Sequence, residues 1–470
     1  MLPKVAPLID AVRLYNNFAR MGKHAGHLSV DLEVYPTPQI KWHFEVLGDE
    51  VIRSGNLSDS FPLEGYQFKI EHPVVTSSHH DSITPLESLN GMTTQANFGD
   101  PDNDCHTVIF YLPNALFQAR NHFGQKRIRK TLRLGKRKIE EKEDEGRVID
   151  SELVYGWSVS IETRREALDW CDDFKSNVGT RITTRGALYA RMSPKANLAA
   201  YPTISLRTAI DYIETLCVLL SYVNGGYIGP LYVEGKSYKT EPQSYVRSDA
   251  VAFAYKTTPI ELLGRSWLAM DSDLEAYISC FSTLHRMLTG SVWIEALPVT
   301  LAWYFQAIQP DGPHSSSKDW PIVANALGTS LERLSYTILV LEEDDPSEKE
   351  KFETLFSLGN GYKRYWTLDR GGRTAKRLQI LLERIGFTHA HCLDIKEVRN
   401  FLKVRNEATH PKTAHVNQAT IPYYLSMATQ WVEEILLWRL GYNGKYWSRF
   451  RDGWQSTAPR YDLKTRRSTW

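Results

Sequence analysis

The sequence predicts an α+β protein in two parts: an N-terminal β-containing region over residues 1–265 and an all-α helical bundle over residues 266–470. Two observations carry the first part. Residues 28–34 and 40–46 each alternate strictly between apolar and polar side chains, the period of strands with one buried face. Tyr35-Pro36-Thr37-Pro38-Gln39 joins them as a turn would, so they pair antiparallel. A third observation carries the second part. Apolar residues recur at spacings of three and four over 274–288, 294–308, 323–341 and 374–385, which is the stripe of a helix packed on one side.

In chain order, residues 3–23 have helical spacing, and the pair at 28–34 and 40–46 follows. Further period-two runs at 66–70, 107–112 and 153–161 predict more strands, and 164–175 again has helical spacing. Within the bundle, the Pro, Gly, Ser and acidic residues at 309–317, 341–347 and 359–361 predict loops between helices. No repeat of fixed period and no low-complexity segment interrupts the chain.

Composition narrows the function. The chain has 470 residues, 42% hydrophobic and 24% charged, as ordinary globular proteins do. A net charge of +1 excludes a globally basic nucleic-acid coat and leaves local patches to be read one by one. Cys105, Cys171, Cys217, Cys280 and Cys392 include no CxxC pair, so neither a disulfide framework nor a structural zinc site is implied and a reducing, cytoplasmic setting fits. The N-terminus carries charges inside its apolar stretch, unlike a secretory signal. The most apolar window, 213–223, is too short for a membrane span.

His389-Ala390-His391-Cys392 and His79-His80-Asp81 group ligand-type residues without a recognisable zinc spacing. Asn224-Gly225-Gly226 and Asp369-Arg370-Gly371-Gly372-Arg373 lack the pattern of a nucleotide-phosphate loop, and no Gly-x-Ser-x-Gly elbow occurs. The sequence therefore implies no metal and no cofactor.

The most informative segment is 394–440. A helix ends in Arg405-Asn406-Glu407-Ala408-Thr409-His410-Pro411, and a long amphipathic helix follows from 423 to 440. Pro411 disfavours helical geometry at His410, which predicts a helix stop there. Val398, Leu402, Arg405 and Thr409 fall at i, i+4, i+7 and i+11, placing Arg405 on the continuation of an apolar stripe. An arginine so placed wants an anion or a partner subunit.

This arrangement resembles the HEPN superfamily of helical ribonucleases and RNA-associated proteins, whose hallmark is Arg, four to six residues, then His, with a polar residue after the Arg. Arg405, Asn406 and His410 match it. Spacing alone selects nothing: 32 arginines and 14 histidines give about three chance matches, and four pairs occur, including Arg20 with His27 and Arg384 with His389 or His391. Context singles out 405/410, because only there do a polar second residue, a helix end and a long following helix coincide. The resemblance covers roughly residues 266–445 and leans towards Apea-like proteins of bacterial defence. It implies a metal-independent endoribonuclease in anti-phage defence or toxin-like growth arrest, whose two motif helices face each other in a homodimer or higher homo-oligomer. The N-terminal region would then sense a phage or host component.

The residue types suit that chemistry. Cleaving RNA without a metal needs a base at the 2′-hydroxyl, an acid at the leaving 5′-oxygen and positive charge on the phosphorane. His410 would serve as base or acid; the helix end favours its protonated form and Arg405 opposes it. Arg405 would clamp phosphate with its planar fork, and Asn406, one turn before His410, would orient the ring. The rival reading is a non-catalytic HEPN-fold protein that binds RNA or a partner. A metal-dependent nuclease lacks a carboxylate cluster.

Further nucleic-acid contacts are expected from Arg399 and Lys412 beside the motif, from Arg127, Arg129, Lys130 and Arg133 in the basic run 120–138, and from Trp447 and Trp454 in the aromatic, basic tail 445–470. For the run, a solvated helix or hairpin paired with the acids at 140–145 is the alternative. For the tail, the alternative is packing on the bundle.

Overall fold

The structure is a computed structural model that describes residues 11–21, 24–34, 38–46, 63–65, 68–71, 74–80, 87–115, 148–153, 156–163, 182–190, 202–238, 245–255, 257–259, 262–264, 267, 272–289, 292–309, 320–342, 372–385, 395–409, 417–442, 445–447 and 460–462. The chain divides into two compact units, Met1–Glu261 and Leu262–Trp470. Strands dominate the first and helices the second, so the protein is α+β.

The strands of the first unit begin with β1 (Ala11–Met21), β2 (His24–Glu33), β3 (Gln39–Val46), β4 (Leu63–Gly65), β5 (Phe68–Glu71), β6 (Val74–His80), β7 (Glu87–Thr93) and β8 (Gln95–Phe98). They continue with β9 (Asp104–Cys105), β10 (Thr107–Pro113), β11 (Val148–Glu152), β12 (Trp157–Thr163), β13 (Ile182–Ala190), β14 (Ile204–Ser205), β15 (Tyr232–Tyr238) and β16 (Tyr245–Phe253). Among the described residues, fourteen of them form one sheet in the order β11-β12-β13-β10-β15-β16-β8-β5-β4-β1-β2-β3-β7-β6.

The antiparallel pair expected at 28–34 and 40–46 is β2 with β3, in a register that sets Leu28 opposite Phe44, Val30 opposite Trp42 and Leu32 opposite Ile40. These six side chains are buried. They share a core with Leu89, Leu231 and Ala252, so the sheet curls until strands far apart in its order meet across one apolar interior. The other face carries ion pairs such as Lys41–Glu33 at 2.6 Å and Arg13–Asp31 at 2.7 Å, whose exposure leaves them little weight in stability.

The helix expected over 3–23 is overturned, since residues 11–21 form β1, paired with β2 and β4. The reason is a bulge between Arg13 and Tyr15. The extra residue shifts the alternation, so Val12, Leu14, Tyr15 and Phe18 acquire spacings that imitate a helix. The period-two run at 153–161 is also redistributed: β11 ends at Glu152, a turn with Gly156 at φ 79° follows, and β12 pairs back antiparallel. The segment 164–175, expected as a helix, lies outside the described residues.

The apolar window 213–223 lies in helix α1 (Leu206–Asn224), which starts at the Ser205 cap and ends at Gly225 with φ 76°. Leu206 and Cys105 lie against Gly235 of β15, where a Cβ would come 3.0 Å from the Cys105 sulfur.

The second unit contains α2 (Ser272–Ile278), α3 (Phe281–Leu288), α4 (Trp293–Ile308), α5 (Trp320–Tyr336), α6 (Gly372–Ile385), α7 (Ile395–Thr409) and α8 (Ile421–Arg439). The single helix expected over 274–288 is broken between α2 and α3 at Ser279-Cys280. Leu341 and Glu342, at the start of an expected loop, instead finish a π turn, Thr337–Glu342, that extends α5. Glu342 is held there by Arg439, 2.5 Å away, and by the Trp293 indole, which donates to it at 2.5 Å. Residues 310–317, 343–347 and 359–361 lie outside the described residues.

Helix α8 begins with Pro422 in its first turn and is buried on every side from Leu425 to Trp438, as the central rod of a bundle must be. It packs on α4, α5, α6 and α7. Its two carboxylates accept hydrogen bonds inside the core: the Tyr304 hydroxyl donates to Glu433 at 2.6 Å, and the Gln430 amide donates to Glu434 at 2.9 Å. Burial, with neighbouring Glu433 adding to it, pushes the Glu434 carboxyl well above the usual carboxylate range.

Candidate functional site

Helix α7 positions the motif. Val398, Phe401 and Val404 are fully buried and root the helix in the bundle, while Leu402, expected on the buried stripe, is only half-buried. Arg405 lies at the margin of this face with its side chain 28% exposed. α7 ends at Thr409, one residue before the stop that Pro411 predicts.

Arg405 crosses the middle of α5. A Cβ built on Gly328 would lie 2.8 Å from Arg405 Cγ and 3.4 Å from its Nε, so the arginine stem runs over α5 where the absence of a side chain leaves room. One turn further along α5, a Glu332 oxygen lies 3.7 Å from Arg405 Nη2. One turn the other way, Asn325 Oδ1 lies 3.2 Å from the Thr409 hydroxyl, which also lies 2.8 Å from the Arg405 carbonyl oxygen. Asn325, Gly328 and Glu332 follow at i, i+3 and i+7, one line on α5. This line is the wall that sequence reasoning missed. A glycine in a helix interior, with polar residues a turn to either side, is the signal that marks it.

The guanidinium is incompletely satisfied. Nη1 donates to Asn406 Oδ1 at 3.4 Å, the Glu332 contact is an ion pair beyond ordinary hydrogen-bond length, and Nε is buried with no hydrogen-bond partner among the described residues. A buried donor without a partner is costly. The arrangement can hold an anionic oxygen once the side chain shifts outward, with Glu332 competing for the same charge. Arg405 and Asn406 are thus brought together, and the Asn406 oxygen points to the arginine.

The other expected residues fall as follows. Arg399 is exposed on α7, six residues from Arg405 and so about 120° around the helix from it. Trp447 belongs to strand β17 (Lys445–Trp447), paired with β18 (Arg460–Asp462); its side chain lies outside the described residues. His410, Lys412, Arg127, Arg129, Lys130, Arg133 and Trp454 also lie outside them.

A second network borders the site. The Asn400 amide of α7 donates to the Tyr424 hydroxyl of α8 at 3.1 Å. Burial first, and the neighbouring Glu397 carboxylate second, raise the Tyr424 phenol above its ordinary range. Among the described residues, no group of three or more His, Cys, Asp or Glu side chains is placed to hold a metal ion, and no helix is long and apolar enough to cross a membrane. No protein-family model, curated protein or solved structure matches this chain.

Proposed function

We propose that the protein is a metal-independent endoribonuclease of HEPN type, acting through Arg405 and His410 in a composite site between two copies of the chain. The observation that supports this reading is the state of Arg405: a half-buried guanidinium at the end of α7 whose buried Nε lacks a partner among the described residues and which has, among them, a single carboxylate at 3.7 Å. Its charge is under-compensated by the protein, as a phosphate clamp requires.

In the proposed reaction the RNA 2′-hydroxyl gives its proton to a base and attacks the adjacent phosphorus. The 5′-oxygen leaves with a proton from an acid, and the products are a 2′,3′-cyclic phosphate and a 5′-hydroxyl. His410 of the two copies supplies base and acid, and Arg405 binds the non-bridging oxygens as charge builds on them. The β-rich unit would serve as sensor for a phage or host component, and the activity would belong to anti-phage defence or growth arrest in the cytoplasm.

The second reading, a non-catalytic RNA-binding or interaction protein, is favoured by Glu332, which gives Arg405 an internal partner. One experiment separates the two. Purified protein is incubated with RNA in excess EDTA, and the ends of the products are identified. Cyclic phosphate ends that disappear in both Arg405→Ala and His410→Ala support the nuclease; cleavage at the parental rate by both variants refutes it.

A further inference from the structure

The exposed face of α7 has a composition that the motif does not use. Lys396, Arg399 and Lys403 are exposed, and Asn406 is half-buried. They follow at i, i+3, i+7 and i+10 and form one line along the helix, with neighbouring positions separated by about one turn, ~5.4 Å. No acidic residue stands on this line between Lys396 and Lys403. Of the helix's acids, Glu397 interacts with Tyr424, and Glu407 is half-buried beyond Lys403. The line ends at Asn406, whose amide oxygen is in contact with Arg405.

An aromatic pair flanks the same stretch. Asn400, one turn from both Lys396 and Lys403, is hydrogen-bonded to Tyr424. Tyr424 meets Tyr423 edge-on, with ring centroids 5.2 Å apart at 83°. Tyr423 is 41% exposed, and the hydroxyl of its neighbour Tyr424 is tied to α7 through Asn400.

We infer that a single strand of RNA lies along this face, its phosphates on Lys396, Arg399 and Lys403 and a base against Tyr423, which leads the strand towards Asn406 and Arg405. The charge fits a polyanion, and an exposed ring fits an unpaired base, because every base has a face to stack and a duplex keeps its own bases stacked. The inference rests on the ribonuclease reading and adds to it the strandedness and path of the substrate.

The test uses the full chain with His410→Ala, so that RNA is bound and not consumed. The probes are oligouridine and an RNA hairpin of equal length, titrated at several salt concentrations. Replacing Lys396, Arg399 and Lys403 together by Gln should lower the log–log salt slope for oligouridine by about 2, since each phosphate contact on a single strand contributes roughly 0.7. Tyr423→Ala should weaken oligouridine binding by about fivefold or more with the slope unchanged. Thermal melting of each variant at the parental temperature shows that the fold is retained.

An unchanged slope in the triple variant overturns the track. So does hairpin binding as tight as oligouridine binding, or equal binding of polyglutamate, which would make the face a site for acidic protein. The two readings fail separately. A flattened slope beside unaltered cleavage in Arg405→Ala removes the nuclease site and keeps the track; abolished cleavage beside an unaltered slope does the reverse.

Discussion

Gly328→Ala probes the contact on which the site depends. Glycine inside a helix is less favourable than alanine by about 0.8–1.0 kcal/mol, so an isolated α5 would gain about that much from the substitution. In the protein the new methyl would stand 2.8 Å from Arg405 Cγ and 3.5 Å from Cδ. The first of these is closer than carbon atoms pack, and Cγ belongs to the stem, close to the backbone, so it cannot swing clear without changing the arginine's rotamer. An off-rotamer side chain costs about 0.5–1.5 kcal/mol, which offsets the helical gain. Gly328→Ala should therefore be neutral or destabilising in the parental chain and stabilising by up to ~1 kcal/mol in an Arg405→Ala background. Urea denaturation followed by circular dichroism, read as the midpoint at constant m-value, gives the double-mutant cycle. The expected coupling is on the order of 1 kcal/mol; additivity within about 0.3–0.5 kcal/mol would refute the stem-over-glycine contact. RNA affinity should fall in the Gly328→Ala single variant, because the guanidinium is carried away from its place.

Glu332→Gln should tighten RNA binding by roughly two- to fivefold, the worth of a part-exposed ion pair; weaker binding in a filter assay would mean that Glu332 holds Arg405 in its binding pose. Glu434 governs a pH dependence. Its folded-state carboxyl titrates well above the usual range, so the unfolded chain loses the proton first, and the stability contributed by this group is lost as pH rises from about 4.3 through the folded value. Glu434→Gln should raise the melting temperature at alkaline pH and converge with the parental protein in acid, whereas an equal difference at every pH would remove Glu434 as the cause. Tyr304→Phe should destabilise the second unit by about 1–3 kcal/mol by taking the 2.6 Å hydrogen bond from buried Glu433; an unchanged urea midpoint would contradict this.

The strand pair β2–β3 and the helices α4, α5 and α6 were legible in the sequence because their apolar spacing is a local consequence of burying one face, whereas the break between α2 and α3 and the all-round burial of α8, expected as amphipathic, were not. The stop of α7 was legible for a similar reason, since Pro411 acts on the residue before it. β1 was not. A bulge gives a strand the spacing of a helix, and only its pairing with β2 and β4 decides between the two. The motif residues Arg405 and Asn406 could be nominated from spacing and context, yet nothing in their own segment points to Gly328, Glu332 or Asn325, which lie more than seventy residues earlier in the chain. Tertiary packing of α7 on α5 selected them, because the arginine stem fits only where a side chain is missing and its charge meets whatever stands one turn away. The sequence by itself thus determined which segments form strands or helices wherever the periodicity is regular, and which arginine is worth asking about. What that arginine touches, and which face of α7 stays exposed, was decided by the fold, because both depend on contacts between helices that are distant in sequence.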